Sequence, residues 1–164
     1  MECSIECIPS TPPPPEIAEI VRRKKTQYCE LADKGLWTRL TEVITPNARI
    51  ELCNADGSLI EVQGTKWEFT RDEFIAYSDA AFKEAQCVHL MGPGIMGYEP
   101  ASGSTPAKVK VVWNCIYHVG AKGDTGPWNT GGGYYHETWV QQGNTWQMDQ
   151  LKFLRSFWKT SAAP

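Results

Sequence analysis

The sequence KVKVVWNCIYHV at residues 108–119 gives the clearest indication of the architecture. Apolar and polar side chains alternate along it, which is the period-two pattern of a β-strand with one buried face. The odd-numbered positions are the more apolar, so we expect them to point inward. They are Val109, Val111, Trp113, Cys115, Tyr117 and Val119.

Other segments also have strand character and are separated by loops rich in Gly, Pro, Ser and Asn. The long ones are residues 86–96, 133–141 and 145–158. Two shorter strands, residues 48–53 and 59–62, are predicted to form a hairpin around an Asn-Ala-Asp-Gly turn. Residues 121–132 are predicted to be a long loop, with a Gly-rich end that precedes a strand and opens no helix.

Helical spacing dominates the part of the chain before the long strands. The first predicted helix covers residues 17–35, with a glycine as its stop. The second covers residues 36–44 and ends before Pro46, because the residue preceding a proline disfavours the α conformation. The third opens with a capping box formed by Thr70 and Glu73.

Helices followed by a run of antiparallel strands predict an α+β fold, with the helices packed on one face of a curved sheet. A chain of 164 residues fits one domain, since domains usually contain roughly 100–200 residues. Residues 1–15 end in four consecutive prolines and are predicted to be a flexible, extended arm. We expect a single domain from residue 16 to residue 160.

Composition excludes several classes of protein. The 16 Lys and Arg residues and 19 Asp and Glu residues give a net charge of −3, without the basic stripe that nucleic acid requires. The only basic cluster, residues 22–25, is interpreted as a solvated helix face. The apolar runs are too short to span a membrane. Six cysteines without a C-x-x-C pair, and no signal peptide, predict a soluble, cytoplasmic protein.

Two strands offer side chains for a pocket. Tyr117 would point into it as a hydrogen-bond donor and Trp113 would form an apolar wall, although Tyr117 fits a core tyrosine equally well. On the next strand, alternation does not choose between the face of Tyr135 and Glu137 and the face of His136. A pocket carboxylate at Glu137 would have a raised pKa and act as an acid or base. Glu137 also fits a surface position.

The order of several motifs resembles the SnoaL-like branch of the nuclear-transport-factor-two-like superfamily. These motifs are Asp33–Leu40, Asn47–Leu52, Val88–Gly92 and Gly133-Tyr134-Tyr135 with Trp139, and the resemblance spans residues 16–158. It implies a cone-shaped, curved antiparallel or mixed β-sheet barrel packed by three helices from the N-terminal half. It also implies a deep apolar pocket, frequent homodimers, and no metal or organic cofactor.

The resemblance also suggests which residues act. Asp33, four residues before Trp37, and His89 look like the positions used by scytalone dehydratase and its relatives, where a carboxylate fixes the imidazole tautomer. On sequence alone they fit a turn aspartate and a core histidine. The resemblance also favours an inward-facing position for Tyr135. The sequence departs from scytalone dehydratase at Glu51-Leu52-Cys53, Gly133 and Tyr135.

The remaining candidates complete the predicted site. Arg39 fits either a solvent-exposed position or the pocket mouth, where it would stabilise an enolate or a carboxylate. Tyr28, Trp113 and Tyr135 would shape the wall that binds the substrate. His118 and His136 look outward-facing, and three histidines without further ligand spacing do not predict a metal site.

We therefore expect a cofactor-free isomerase or cyclase that acts by acid/base catalysis on an apolar polycyclic or polyketide-like intermediate of specialised, plausibly fungal, metabolism. Its catalytic residues would be Asp33, His89, Tyr117, Glu137 and Arg39. A dehydratase is the alternative within the enzyme class, and a non-catalytic binding or dimerisation module is the alternative outside it.

Overall fold

A computed structural model describes residues 8–123 and 125–161 of the chain. Two α-helices and a short 3₁₀ helix are found in this part, together with nine strands. The helices are α1 (Pro15–Asp33), the 3₁₀ helix (Trp37–Glu42) and α2 (Arg71–Ala81). The strands are β1 (Ile44–Asn54), β2 (Glu61–Val62), β3 (Thr65–Lys66), β4 (Glu68–Thr70), β5 (Ala85–Met91), β6 (Ile95–Glu99), β7 (Lys108–Ala121), β8 (Trp128–Gln142) and β9 (Thr145–Ser161).

The predicted α+β fold is confirmed. One mixed sheet of seven strands has the order β4-β1-β9-β8-β7-β5, and β6 also pairs with β7. Strands β1 and β9 are parallel, while the other pairs of this sheet are antiparallel. The sheet curves around the helices but does not close, because β4 and β5 remain as its edges. The expected barrel is thus an open, curled sheet.

The first and third predicted helices are confirmed. Helix α1 begins at Pro15, where the missing N–H of proline costs nothing, and Gly35 follows its end with a φ of +66°. Helix α2 begins with the predicted capping box: the Thr70 hydroxyl accepts from the Glu73 N–H, and the Glu73 carboxylate accepts from the Thr70 N–H.

The second predicted helix is wrong in extent and type. Only a 3₁₀ helix forms, and Ile44 already pairs with Met148 on β9. Val43 and Ile44 are fully buried, so the apolar stripe that suggested a helix is the entry into a central strand. The register of β1 against β9 shifts between Ile44 and Arg49, which accommodates Pro46 within the strand.

Three strand predictions also need correction. The segment 86–96 is two strands, because Gly92-Pro93-Gly94 interrupts it. The predicted hairpin forms next to its turn, where Leu59 bridges Cys53 and the Ile60 N–H donates to the Leu52 carbonyl, but Glu61 and Val62 pair with β3. Strand β1 pairs along its length with β4 and β9. Strand β8 begins at Trp128, so the glycines at 131–133 lie inside a strand and the preceding loop is shorter than expected.

The face assignments on β7 and β8 are confirmed. Val109, Val111, Trp113 and Cys115 are buried on the inner face of β7, and Tyr135 is buried on β8. Part of the proline-rich arm lies against β6, since the Tyr98 N–H donates to the Thr11 carbonyl. The arm's residues 1–7 lie outside the described part. No helix in the described ranges is long and apolar enough to cross a membrane.

Candidate active site

A mainly apolar cavity of about 290 Å³ lies between the helices and the concave face of the sheet. Both layers contribute to its walls, so the cavity is a product of the whole fold. Its lining consists of Tyr28, Ala32, Trp37, Leu52, Ile60, Val62, Trp67, Phe74, Tyr77, Ser78, Phe82, Cys87, His89, Tyr117, Val119, Tyr135, Phe153, Arg155 and Trp158.

Asp33 and His89 form the predicted pair at one wall of this cavity. Asp33 is the last residue of α1 and His89 is in the middle of β5, and the His89 Nδ1 lies 2.6 Å from the Asp33 Oδ1. The other carboxylate oxygen accepts from the backbone N–H of His89 at 3.1 Å. Because the carboxylate accepts, Nδ1 carries the hydrogen and Nε2 is left as a proton acceptor. His89 lines the cavity and Asp33 orients it from behind.

Cys87 lies beside this pair. Its Sγ is 3.6 Å from the Asp33 Oδ1, and burial together with the Asp33 charge raises the pKa of the thiol to about 12. Asp33, Cys87 and His89 lie close enough together to hold a metal ion. These side chains would offer a carboxylate oxygen, a sulfur and an imidazole nitrogen as ligands.

Tyr117 reaches the cavity next to His89, with ring centroids 5.9 Å apart. Burial raises the pKa of Tyr117 to about 12, so its hydroxyl remains a hydrogen-bond donor at neutral pH. Gly131 makes room for this ring, since a Cβ on Gly131 would lie 2.4 Å from the Tyr117 hydroxyl.

Tyr28 and Tyr135 also line the cavity, as predicted, and meet edge to face at 6.4 Å. Burial raises the pKa of both hydroxyls well above its ordinary value. They therefore contribute neutral, mostly apolar surface to the wall.

Glu137 is placed differently from the prediction: it points inward but does not line the cavity. One carboxylate oxygen accepts from Lys25 Nζ at 2.5 Å. The other accepts from the indole N–H groups of Trp113 and Trp139 at 2.8 and 2.9 Å. All four residues are buried. Glu137 is thus saturated by structural partners, and Trp113 lies behind the wall as one of them.

Lys25 was misassigned to a solvated helix face. It is 2% exposed, and its ammonium lies 3.6 Å from the ring centre of Tyr135. The sequence did indicate that Lys25 is buried, because it lies four residues after Val21 and three before Tyr28. Both of these residues are on the buried face of α1.

Arg39 is not at the pocket mouth. Its side chain is exposed and its guanidinium pairs with Glu42 at 2.7 Å on the same 3₁₀ helix. Of the two positions that the sequence allowed, Arg39 takes the solvent-exposed one. The observed 3₁₀ helix leaves it in solvent.

Sequence reasoning missed two parts of the lining, an aromatic wall and the cation of Arg155. The wall is formed by two edge-on aromatic pairs, Trp37–Phe74 and Trp67–Tyr77. Within the described residues, three buried side-chain polar atoms lack a hydrogen-bond partner, and all three belong to the lining. They are the indole nitrogens of Trp37 and Trp67 and the Ser78 hydroxyl.

Comparison with known proteins gives the family. The model of the SnoaL-like domain matches residues 16–152. The chain belongs to the SnoaL-like domain family. It is 38% identical over 148 residues to a protein of Gibberella zeae named probable cyclase FGR4, covering 88% of this chain and 95% of that protein.

Two solved structures share the fold. A protein of Kribbella flavida matches with a TM-score of 0.68 and 16% identity over 88% of this chain and 93% of that chain. A putative scytalone dehydratase of Novosphingobium aromaticivorans matches with a TM-score of 0.65 and 12% identity over 88% and 89%. At these low sequence identities, the two matches show a shared fold alone.

Proposed function

We propose that this protein is a cofactor-independent isomerase or cyclase that moves protons on an apolar polycyclic or polyketide-like intermediate of specialised metabolism. The observation that carries the proposal is the Asp33–His89 hydrogen bond of 2.6 Å, with His89 at the wall of an apolar cavity. The relative named a probable cyclase supports the same reaction class.

The arrangement suits proton transfer next to a carbonyl. His89 Nε2 removes a proton from a carbon beside the carbonyl, and Asp33 stabilises the imidazolium that forms. Tyr117, 5.9 Å from His89 between ring centres, donates a hydrogen bond to the oxygen on which charge develops. The imidazolium then returns the proton at another atom, which isomerises the substrate or accompanies ring closure.

A dehydratase is the second candidate, supported by the fold shared with the putative scytalone dehydratase. In that reaction the imidazolium of His89 protonates a departing hydroxyl group. A non-catalytic binding module would use the same cavity without converting its ligand.

Incubating the protein with a panel of ring-bearing ketones, followed by mass spectrometry and NMR, separates these candidates. The proposal predicts a product of unchanged mass whose formation is lost in His89→Gln and kept in His118→Gln, a matched exposed histidine. Loss of one water would favour the dehydratase, and binding without conversion across the panel would favour the binding module.

A further inference from the structure

Arg155 is a half-buried cation in a mainly apolar cavity. It follows Phe153 by two positions on β9, so both side chains face the same side of the sheet, and both line the cavity. Its guanidinium donates to the Asn54 Oδ1 at 2.8 Å. In the part of the chain that the structure describes, no Asp or Glu pairs with it, and it is the only Lys or Arg in the lining.

This guanidinium has N–H groups that donate to no partner among the described contacts. An arginine offers five N–H groups, and the described contacts use one of them on a neutral amide. Asn54 and Arg155 are register partners on the parallel strands β1 and β9, so the hydrogen bond fixes the guanidinium to the rigid sheet. A fixed fork of donors beside apolar walls suits a bidentate carboxylate, whose bonds are strengthened by the low local dielectric.

A chain of aromatic rings joins Arg155 to the dyad. The Arg155 guanidinium lies 5.7 Å from the ring centre of Trp158, which lies 6.0 Å from the ring of Tyr117. Tyr117 in turn lies 5.9 Å from His89. Because all four side chains line the same cavity, a ring-bearing molecule that contacts Arg155 can place another of its atoms beside Tyr117 and His89.

We propose that Arg155 binds a carboxylate of the substrate, so that the natural substrate is a ring-bearing acid oriented with its reacting carbon towards His89. That the bound acid is a substrate rests on the proposed function. The binding of the acid itself is independent of any reaction.

Calorimetric titration with 2-naphthoate and with its methyl ester tests the subsite directly. In the wild-type protein we expect the acid to bind more tightly than the ester. In Arg155→Met the acid should bind roughly ten- to a hundred-fold more weakly, as expected for charge-assisted hydrogen bonds, while ester binding changes little. The affinity of Arg155→Lys for the acid should lie between those of the wild-type protein and Arg155→Met, because lysine keeps the charge but loses the fork of donors.

Arg23→Gln is the matched control, because it removes one positive charge from an exposed site on α1. It should leave both affinities unchanged. Equal affinities of the wild-type protein for acid and ester, or an equal loss for both ligands in Arg155→Met, would overturn the inference. Arg155-dependent binding of the acid without conversion of any ketone would keep the inference and remove the proposed reaction.

Discussion

At the scale of single residues, the buried Lys25–Glu137 pair explains why a cation and a carboxylate are tolerated in the core. Glu137 has a partner for both oxygens, and Lys25 also lies against the Tyr28 and Tyr135 rings. The pair supports the wall of the cavity through Tyr28 and Tyr135, but neither Lys25 nor Glu137 lines the cavity. Removing one partner of such a pair is strongly destabilising, because the other charge then stays buried and uncompensated.

Glu137→Gln should therefore lower the free energy of unfolding by about 3–5 kcal/mol, since it leaves the Lys25 ammonium buried without a counter-charge. The double variant Lys25→Met/Glu137→Gln should lose clearly less than the sum of the two single changes. Urea unfolding measures both, with Glu30→Gln, from an exposed pair with Lys34, as a control that changes little. Strictly additive losses would show that the two side chains do not depend on each other.

The order of the motifs suggested Asp33, His89 and the inward face of Tyr135. Strand alternation gave the inner face for Tyr117, and Tyr28 lies at helical spacing within the first predicted helix. The bond between Asp33 and His89 joins residues 56 positions apart, which no local pattern reveals. Arg39 and Glu137 failed for different reasons. Glu137 is saturated by Lys25 on α1 and Trp113 on β7, which no local pattern connects to it. Arg39 takes the solvent-exposed position, the other one that the sequence allowed, and pairs with Glu42 on its own 3₁₀ helix.

At the scale of elements, the helix predicted at residues 36–44 shows where periodicity alone misleads. Leu40, Val43 and Ile44 are buried in both conformations, so the apolar pattern does not distinguish them. Pairing with β9 favours the extended form for Ile44, and the Val43 carbonyl accepts from the Met148 N–H. The long strands were predictable since their alternation extends over many residues.

Helix α2 contributes Phe74, Tyr77 and Ser78 to the cavity and begins with the Thr70–Glu73 capping box. Thr70→Ala should lower the free energy of unfolding by about 1 kcal/mol, because the Glu73 N–H loses its acceptor. Thr26→Ala on the exposed face of α1 is the matched control and should not destabilise, since alanine is the better helix former. Equal effects of the two substitutions in urea unfolding would argue against the cap.

At the scale of the whole molecule, the outer face of the sheet carries an uncharged apolar patch, formed by Val88 and Leu90 on β5, Ile116 on β7 and Tyr134 on β8. All four are more than 40% exposed, and Leu90 is the register partner of Ile116. We propose that a second copy of the chain covers this patch, because an uncharged apolar surface can pair with its own image across a two-fold axis.

Leu90→Lys/Ile116→Lys should accordingly shift the protein from dimer to monomer in analytical ultracentrifugation, since lysines on a two-fold interface repel their copies. Ile20→Lys, on the exposed side of α1, should leave the dimer intact. A monomeric wild-type protein, or a dimer that survives the double substitution, would contradict the proposed interface.

The measurement that tests the central claim most directly is solvent exchange at a carbon next to a carbonyl. Wild-type protein, Asp33→Asn and His89→Gln are each incubated with 2-tetralone in D₂O, and deuterium incorporation is followed by proton NMR. If the Asp33–His89 pair moves the proton, both variants should exchange roughly 10²- to 10⁴-fold more slowly than the wild type, while His118→Gln keeps the full rate. Wild-type exchange no faster than in buffer, or equal exchange in the wild type and His89→Gln, would contradict an acid/base role for this pair.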